Sequence, residues 1–487
     1  MDNKVENVNL QDDVIRNREH AETFRRYAPV CFIYAVYYTF CLYRNDHGIT
    51  YPFFMIATIA LTLFLIKRSG RIIKKESRFY ILCLMLLSVS ICTTASVPLH
   101  VLGTMFVIVL LSGLAAENLY ETSDWNVGMH FAAYIACVFR PLSFLDRSAG
   151  DMLAYAGSKK SADKAKSNGA GKEIFIGICI AVPLLVIVLM LLMSADAVFG
   201  HMMDWLLNKI VFPGNAGDIF CMLMLTAAVY IFSYGAYYMI SSDKTENNDT
   251  AAGKKKGSPV TAMTVAVVLT AVYIVFCFIQ IMYLFAGGMK LPDGYTYAEY
   301  VHEGFYQLVF VCMINLIIVL AIRSYVKQDK RLNIILSVFS ACTFVMMASA
   351  TVRMVMYVMS YGLSFLRLFV LWFILMMAVW FIAIIAGLFN EKITLFRFFL
   401  VSATVLYLLF AFVHPDYWIA RYNIEAAGTD GYMFDMNYIE NLSYDAVPAI
   451  MENPEAAKVY HKDMDGMSKD FRKFNFSEYR ASLYLNR

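Results

Sequence analysis

Two carboxylates, Glu299 and Glu303, lie four residues apart where a long apolar run begins. On a helix, Tyr300, Glu303 and Gln307 occupy positions i, i+3 and i+7 and therefore share one face. A carboxylate in a membrane helix costs about 2.5–3.5 kcal/mol at the bilayer centre and less near the interface. An ion pair, a ligand pocket or an ion path could justify this cost.

Two arginines reach the same depth if each apolar run is one membrane helix. Arg353 lies near the outer end of one run, and Arg367 lies at the outer start of the next. We expect Glu303 to pair with Arg353. We expect Arg367 to pair with Asp196 or Glu299. Alternatively, such pairs only tether helices or extend to the interface. The predicted polar pocket near the outer leaflet comprises Asp196, Gln280, Glu299, Tyr300, Glu303, Gln307, Arg353 and Arg367.

Catalytic and metal-binding motifs are absent from the sequence. The ten cysteines include no CxxC pair, which excludes a disulfide framework and a thiolate zinc site. No HExxH, P-loop, GxSxG or glycine-rich nucleotide loop occurs. The methionine cluster around Met354 is typical of apolar packing, although thioether ligands also suit Cu(I). The histidines share no metal spacing, and we expect them to be hydrogen-bonded or interfacial. We therefore predict no catalytic residue, no metal ion and no cofactor.

The composition is that of a polytopic membrane protein. The chain has 487 residues, of which 60% are hydrophobic and 16% charged, and its mean hydropathy is +0.57. Soluble proteins carry about 25% charged residues. The apolar runs are continuous rather than alternating, which favours helices over strands. We predict an all-α fold in a lipid bilayer, with no nucleic-acid partner.

Eleven apolar runs are long enough to cross a bilayer as helices. They are residues 27–43, 49–66, 79–95, 97–115, 174–194, 218–240, 260–286, 304–322, 332–358, 364–388 and 394–413. The predicted organisation is a polar head over 1–26, four membrane helices over 27–115, a cytoplasmic loop with an interfacial helix over 116–172, seven membrane helices over 173–413, and a helical tail over 414–487.

Basic residues predict the orientation of these helices. With the head on the cytoplasmic side of the cell membrane, the cytoplasmic segments hold 27 Lys and Arg and the opposite loops hold 3. This asymmetry follows the positive-inside rule. An odd number of spans then places the tail outside the cytoplasm. The tail holds 8 basic and 12 acidic residues, which is compatible with that placement.

Residues 125–146 are apolar in the middle but interrupted by Asn126, Gly128 and His130, and they end at Arg140 and Pro141. The apolar part is too short to span, so we expect an interfacial or re-entrant helix on the cytoplasmic face. A full crossing would move the Lys-rich stretch 159–172 outside and would destroy the charge asymmetry.

The tail has its own helical patterns. Trp418 and Tyr417 follow the last run and suit the membrane interface. Residues 441–451 and 471–485 read as short helices separated by Gly, Asn and Pro. We expect a helical cap over the outer ends of the seventh to tenth runs, and the tail is the predicted site for a protein partner.

Several blocks resemble a bacterial multi-pass membrane family catalogued as a domain of unknown function, number forty-one seventy-three, related to number forty-one fifty-three. The blocks are YLFAGG at 283–288, YTYAEYVHEGFYQL at 295–308, RMVMYVMSYGLSFLRL at 353–368, and PDYWIARYNI with SYDAVPAI in the tail. The likeness covers residue 174 to the end of the sequence. It implies a membrane location and no known activity. It implies a structural or functional role for Tyr297, Glu299, Tyr300, Gly304, Arg353, Tyr361, Gly362, Arg367, Arg421 and Asn423.

Three classes of function remain open at this point. The first is a permease-like or ligand-sensing protein with a polar pocket near the outer leaflet. The second is a non-transporting scaffold or envelope-assembly partner that acts through the tail. The third, an intramembrane enzyme, is the least favoured because the sequence shows no catalytic arrangement. A cavity reaching Glu303 would favour the first class, and a dry bundle with an apolar patch on the tail would favour the second.

Overall fold

The computed structural model describes residues 2–45, 47–122, 125–160, 216–242, 257–282, 297–327, 329–390, 392–427, 436–460 and 470–485, with isolated positions between 188 and 202. Within these ranges the side chains of 2–14, 158–160, 216–217, 297–303, 436 and 459 are not described. The described residues are helical and contain no β-strand, apart from an isolated bridge between Gly257 and Val326. This confirms the prediction of an all-α fold.

The described residues form seventeen α-helices, numbered in chain order. They are α1 Asp2–Leu42, α2 Thr50–Arg68, α3 Ser77–Thr93, α4 Val97–Leu119, α5 Val127–Phe139, α6 Leu145–Lys160, α7 Ala216–Ser242, α8 Pro259–Gln280, α9 Tyr297–Tyr325, α10 Lys330–Tyr361, α11 Phe365–Phe389, α12 Leu395–Phe412, α13 Pro415–Ala426, α14 Met436–Glu440, α15 Val447–Met451, α16 Pro454–Val459 and α17 Phe476–Leu485. Short 3-10 helices cover Arg140–Phe144, Tyr444–Ala446 and Phe471–Lys473.

Nine helices in the described part of the chain are long and apolar enough to cross a membrane. They are Thr50–Arg68, Val97–Leu119, Val127–Gly157, Asp218–Ser242, Pro259–Gln280, Gly304–Tyr325, Lys330–Tyr361, Phe365–Phe389 and Leu395–Phe412. Eight of them coincide with predicted runs. Of the other predicted runs, the first lies in α1, the third is the 17-residue α3, and the fifth falls largely outside the described residues. The count of eleven therefore stays a prediction.

The bundle has two ends, a head end and a tail end. The head end carries the connections 69–76, 120–126 and 390–394, and the tail end carries the connections 43–49, 94–96 and 362–364.

The candidate span that matches no predicted run is Val127–Gly157. It overlaps residues 125–146, which we predicted to be interfacial. It is broken by the 3-10 turn at Pro141 into α5 and α6. His130 stacks on Phe396 in the first turn of α12, and the Tyr134 hydroxyl lies 2.9 Å from that of Tyr80 near the start of α3. The carbonyl of Pro141 lies against Gly235 in the last third of α7. These contacts all lie toward the head end, so they favour a segment along that end, although its hydropathy also allows a span.

Buried apolar side chains pack between the helices of two main groups. One cluster joins α8, α9, α10 and α11 through residues such as Phe305, Phe339 and Phe381. A second joins α2, α3 and α4 with α12, and includes Met55 and Tyr407. Helix α12 takes part in both clusters, because its first turns pack on the first and its last turns on the second. Helix α12 therefore connects the two groups.

The tail folds back onto the tail end of the bundle. The backbone N–H of Ile49 donates to Phe474 (2.8 Å), and the Asn475 side chain donates to the carbonyl of Thr94 (2.8 Å). A cluster around Ile450 supplies the apolar core of this cap. The predicted short helices are present in the tail. The cap covers the connections 43–49 and 94–96 at the tail end, as well as the connection 362–364 between the ninth and tenth predicted runs.

We expect Asn423→Ala to loosen this cap. The Asn423 amide donates to the carbonyl of Leu363 (2.8 Å), and its side-chain oxygen accepts from the Leu363 N–H (2.7 Å). Asn423 is buried, so the substitution leaves backbone groups without this partner, at a cost of about 1–3 kcal/mol. Thermal unfolding of the full-length protein in nanodiscs measures the effect. The exposed Asn441→Ala is the matched control, and an equal loss in both variants would contradict the assigned role.

Candidate functional site

A cavity of about 680 Å³ opens at the head end between α3, α4 and α5 on one side and α9, α11 and α12 on the other. Small-molecule sites in proteins have volumes of about 300–1,000 Å³. Most are lined mainly by apolar groups, whereas this cavity has many charged groups on its walls. Its charged side chains are Lys74, Glu76, Glu117, Glu121, Arg323 and Arg397.

The first wall is acidic, and Arg397 reaches it from the opposite side of the cavity. Arg397 lies in the first turn of α12, and its guanidinium is 3.7 Å from Glu76 and 3.9 Å from Glu117. Both separations exceed a hydrogen bond, and the Arg397 side chain is 59% exposed. The Thr122 hydroxyl lies 3.2 Å from both oxygens of Glu117. Arg397 is thus held by charge rather than by fixed hydrogen bonds, and it is free to approach a bound anion.

Basic residues close the end of α4 and give this wall its shape. The last carbonyls of a helix have no partner within the helix. The Lys74 ammonium donates to the carbonyl of Tyr120 (2.8 Å), and Arg71 donates to the carbonyl of Leu119. Lys74 also lies 3.7 Å from Glu121. These contacts hold the connection between α4 and α5 against the start of α3.

Aromatic rings form the floor between the charged groups. The His130 ring stacks on Phe396 with centroids 4.1 Å apart, and Trp125 meets the edge of His130 at 5.3 Å. Asn126 caps α5 by accepting from the Met129 N–H (2.9 Å), which fixes the start of the helix that carries His130. Flat rings at fixed angles can stack on a planar ligand or face a cation.

The second wall carries Arg323, in the last turn of α9. It lies against Gly387 near the end of α11, where a side-chain methyl would come within 2.5 Å of a guanidinium nitrogen. Glycine at this position lets the guanidinium lie close to the α11 backbone. Among the described residues, the cavity is therefore lined by three carboxylates and three basic side chains.

The sequence-predicted residues of α8, α9 and α10 lie elsewhere in the molecule. The Gln280 side chain accepts from Ser349 (2.7 Å), one turn before Arg353. The Gln307 side chain accepts from the Gly304 N–H (2.9 Å). Arg353 is buried, with a guanidinium nitrogen 3.1 Å from the position that a Gly304 Cβ would take. The structure therefore brings Gln307 and Arg353 together around Gly304.

The remaining predicted residues have local contacts or fall outside the described side chains. Arg367 donates to the carbonyls of Tyr361 (2.7 Å) and Gly362, and it lies 4.3 Å from the Tyr357 ring. Asp196 accepts from the next backbone N–H groups, including that of Val198 (2.8 Å). The side chains of Glu299, Tyr300 and Glu303 lie outside the described residues. The pairing of Glu303 with Arg353, and of Arg367 with an acid, remains a prediction.

A buried carboxylate that sequence reasoning missed lies near the head end. Asp151 of α6 is 2.7 Å from His20 of α1, and it accepts from the hydroxyls of Tyr234 (2.7 Å) and Tyr238 (2.5 Å) of α7. The tyrosines four residues apart in an otherwise apolar run were the available signal. This cluster ties α1, α6 and α7 together.

A second missed carboxylate, Asp445, joins the tail to the bundle. It is buried and accepts from the Ala95 N–H (3.0 Å) and from the hydroxyls of Thr94 and Ser477. His414 lies 3.3 Å away. Burial raises the pKa of the Asp445 carboxyl, but the hydrogen bond and charge of His414 and the two hydroxyls bring it below its ordinary value.

Histidines and cysteines have ordinary partners. His100 contacts the carbonyls of Ile91 (3.2 Å) and Thr94 (3.0 Å), and His130 contacts that of Asn126 (3.1 Å). The cysteines within the described ranges are free thiols, and nearly all of them are buried. In the same ranges, no group of three or more His, Cys, Asp or Glu side chains could hold a metal ion.

Comparison with known protein families matches residues 81–453 to the family described as Domain of unknown function (DUF4153). The chain belongs to this family. The match includes most of the cavity walls and begins well before residue 174, where the expected likeness began. No curated protein and no solved structure matches the chain. It is a multi-pass membrane protein of unassigned role, and its relation to family forty-one seventy-three stays a prediction.

We expect Gly387→Ala to displace Arg323 from the second wall. The added methyl would overlap the guanidinium, which is the far end of a flexible side chain and can move aside. We therefore expect Gly387→Ala to lose most of the roughly 1 kcal/mol that alanine gains over glycine inside a helix. Thermal unfolding in nanodiscs measures the effect. Gly150→Ala in α6 is the matched control, because a Cβ there has open space and helix propensity favours alanine. Equal stability of the two variants would contradict the close packing of Arg323 on α11.

The tail cluster predicts a stability maximum at mildly acidic pH. Burial raises the pKa values of Asp416 and Glu478, so a fall in pH through those values neutralises both groups and removes the cost of burying their charge. Further acidification, through the lowered pKa of Asp445, protonates that carboxylate, and its stabilising contribution is lost. Thermal midpoints measured from neutral to about pH 3 should rise and then fall.

Asp445→Asn tests the acid side of this profile. We expect it to lower stability at neutral pH by about 1–3 kcal/mol and to weaken the dependence on pH below the ordinary carboxyl value of 3.8. The exposed Glu455→Gln is the control and should keep the wild-type profile. If Asp445→Asn keeps the wild-type loss of stability at low pH, another group causes that loss.

Proposed function

We propose that this protein is a multi-pass protein of a bacterial cell membrane that binds a small polar solute in the head-end cavity, as a permease-like or ligand-sensing protein. The observation that carries the proposal is the cavity itself. It has the volume of a small-molecule site, and charged groups from the connection before α3 and from α4, α9 and α12 line it. Charged walls favour a solute with polar or charged groups, because an apolar ligand would leave those groups desolvated.

The distribution of basic residues supports a cytoplasmic head end and an extracytoplasmic tail. In that orientation the cavity opens toward the cytoplasm. The predicted outer pocket around Arg353 and Gln307 would then lie at the opposite ends of the same helices, α9 and α10. Between the two levels, Asn315 of α9 is buried and bonds to Tyr273 (2.8 Å) and Thr343 (3.1 Å). Polar side chains at three depths support the permease-like alternative.

A solute screen tests whether the protein binds a solute and where the binding site lies. The full-length protein in nanodiscs is heated with panels of amino acids, carboxylic acids, amines, sugars and nucleosides. Binding to the folded state at 100 times Kd stabilises it by about 2.7 kcal/mol. We expect one class to raise the thermal midpoint of wild type and of Gln307→Ala, but not of Trp125→Ala. Gln307 is exposed and Trp125 lines the cavity.

The outcomes separate the two locations. A midpoint shift that Gln307→Ala loses and Trp125→Ala keeps would move the site to the predicted outer pocket. The absence of a shift for every class would overturn solute binding. For a solute that binds, uptake into proteoliposomes identifies a permease, and binding without uptake identifies a sensor.

A scaffold that acts through the tail is the second candidate. The observation that favours it is the set of exposed apolar side chains on the cap, which includes Phe471, Phe476 and Leu483. Such a surface is typical of a protein or membrane contact. Replacing these three residues with serine should then abolish cross-linking of the tail to a neighbour while leaving solute binding intact.

A further inference from the structure

Helix α17 has the reverse of the pattern that is expected for a helix on a water-facing surface. Its buried face consists of small side chains, which are those of Ser477, Ala481 and Ser482. Its outer face carries large side chains at positions i, i+3 and i+7, which are 45–50% exposed and belong to Phe476, Tyr479 and Leu483. A helix between protein and water turns its apolar side chains inward. Small residues toward the protein and large apolar residues outward are typical of a helix that contacts lipid.

The turn before α17 extends this outer face. Phe471 is 69% exposed. The Phe474 ring packs against the rings of Phe476 and Tyr479, with centroids 5.2 and 5.6 Å apart. The exposed side chains of Phe471, Phe476, Tyr479 and Leu483 together are called the tail patch. It is an apolar and aromatic surface on a part of the chain that the sequence presents as polar.

The segment that carries the tail patch is attached to the ends of α1 and α2. Arg472 donates to the carbonyl of Phe40 in α1 (2.8 Å), and the carbonyl of Phe474 accepts from the N–H of Ile49, directly before α2 (2.8 Å). Exposed apolar side chains run from Phe40 along α1 and from Phe53 along α2. In a polytopic membrane protein, such exposed apolar stripes contact acyl chains. The tail patch therefore adjoins the apolar outer surface of the bundle.

We propose that α17 is an interfacial helix that docks in the membrane leaflet at the tail end, with the tail patch among the headgroups and upper acyl chains and Arg480 toward the lipid phosphates. Arg480 is exposed and lies four residues after Phe476, on the same face of the helix. An arginine can lay its stem along apolar groups while its charge reaches the headgroups. This inference is independent of solute binding in the head-end cavity.

A lipid leaflet fits the tail patch better than a protein partner does. Aromatic side chains next to a basic residue are typical of a helix at the membrane interface. A protein partner that covered the tail patch would also have to lie against the exposed ends of α1 and α2, where acyl chains are expected. Docking in the leaflet buries the tail patch and these ends against the same medium.

Docking would also support the contacts that attach the tail to the bundle. From the inner face of α17, the Ser477 hydroxyl donates to the buried carboxylate of Asp445. The preceding Asn475 donates to the carbonyl of Thr94 (2.8 Å). The leaflet would thus hold α17 from the outside against the groups that it binds on the inside.

Photo-cross-linking tests the contact with lipid. The full-length protein carries p-benzoylphenylalanine in place of Phe471, Phe476 or Leu483, one position at a time, in nanodiscs of equal parts phosphatidylglycerol and phosphatidylcholine. Intact-protein mass spectrometry after irradiation identifies a lipid adduct by its added mass. The same probe replaces Phe53, an exposed residue of the candidate span α2, as the positive control, and the exposed Glu455 of the cap as the negative control. We expect lipid adducts at the three tail-patch positions in yields comparable to that at Phe53, and none above background at Glu455.

Arg480→Gln tests the contact with phosphate. One basic side chain near an anionic membrane surface strengthens binding about fivefold. With the probe at Phe476, we therefore expect Arg480→Gln to lower the ratio of phosphatidylglycerol to phosphatidylcholine adducts by up to about fivefold. Arg480→Lys keeps the charge and should keep the ratio. An unchanged ratio in Arg480→Gln overturns the phosphate contact.

The outcomes separate lipid from protein. Absence of lipid adducts at all three tail-patch positions, in nanodiscs where the probe at Phe53 is labelled, overturns the docking. Adducts with a second copy of the chain in place of lipid also overturn it and support the protein contact of the scaffold candidate. Equal lipid yields at Glu455 and at the tail patch overturn the assignment to α17. Melting curves and size-exclusion profiles identify a variant that does not fold, and the two other positions then decide the result.

Discussion

In a lipid bilayer there is little hydrophobic driving force for helices to associate, because acyl chains solvate apolar side chains as well as other apolar side chains do. The two helix groups must therefore be held by close packing and by a limited number of polar contacts. Helix α12 supplies the packing, since its side chains belong to both apolar clusters. Polar contacts at its two ends then join it to α3, α4 and the tail.

The two ends of α12 differ in how tightly they are held. Beyond the last turn, His414 and the tail meet the buried carboxylate of Asp445, which also binds the connection between α3 and α4. In the first turn, Arg397 faces Glu76 and Glu117 at distances that exceed a hydrogen bond. One end of α12 thus has a short, buried set of bonds, and the other has loose ion pairs. The cavity lies at this loosely held end.

Sequence reasoning succeeded where the signal is local. The length of an apolar run decides whether a helix can span, and eight predicted runs are candidate spans in the structure. The first predicted run lies in α1, is rich in tyrosine and is not among the candidate spans, so its crossing stays a prediction. The break at Pro141 was also readable, because proline ends a helix that polar residues already weaken.

The cavity could not be predicted in the same way. Its walls come from residues 74–130 and 320–397, which no periodicity connects. Glu299 and Glu303 drew attention because they enter an apolar run, whereas Glu76 and Glu117 lie at helix ends, where charge is ordinary. Asp445 was overlooked because a carboxylate in a polar tail gives no sign of burial.

The resemblance to a known family indicated positions whose physical role the structure now explains. Gly304 has a φ of +103°, a conformation that residues with a side chain rarely adopt, and its N–H donates to the Gln307 side chain. A Cβ at this position would also come 3.1 Å from the guanidinium of Arg353. One glycine thus permits this backbone conformation and admits the arginine. A role in helix packing is sufficient for both residues, so the chemistry of the molecule is better sought at the other end of α9, where Arg323 faces the cavity.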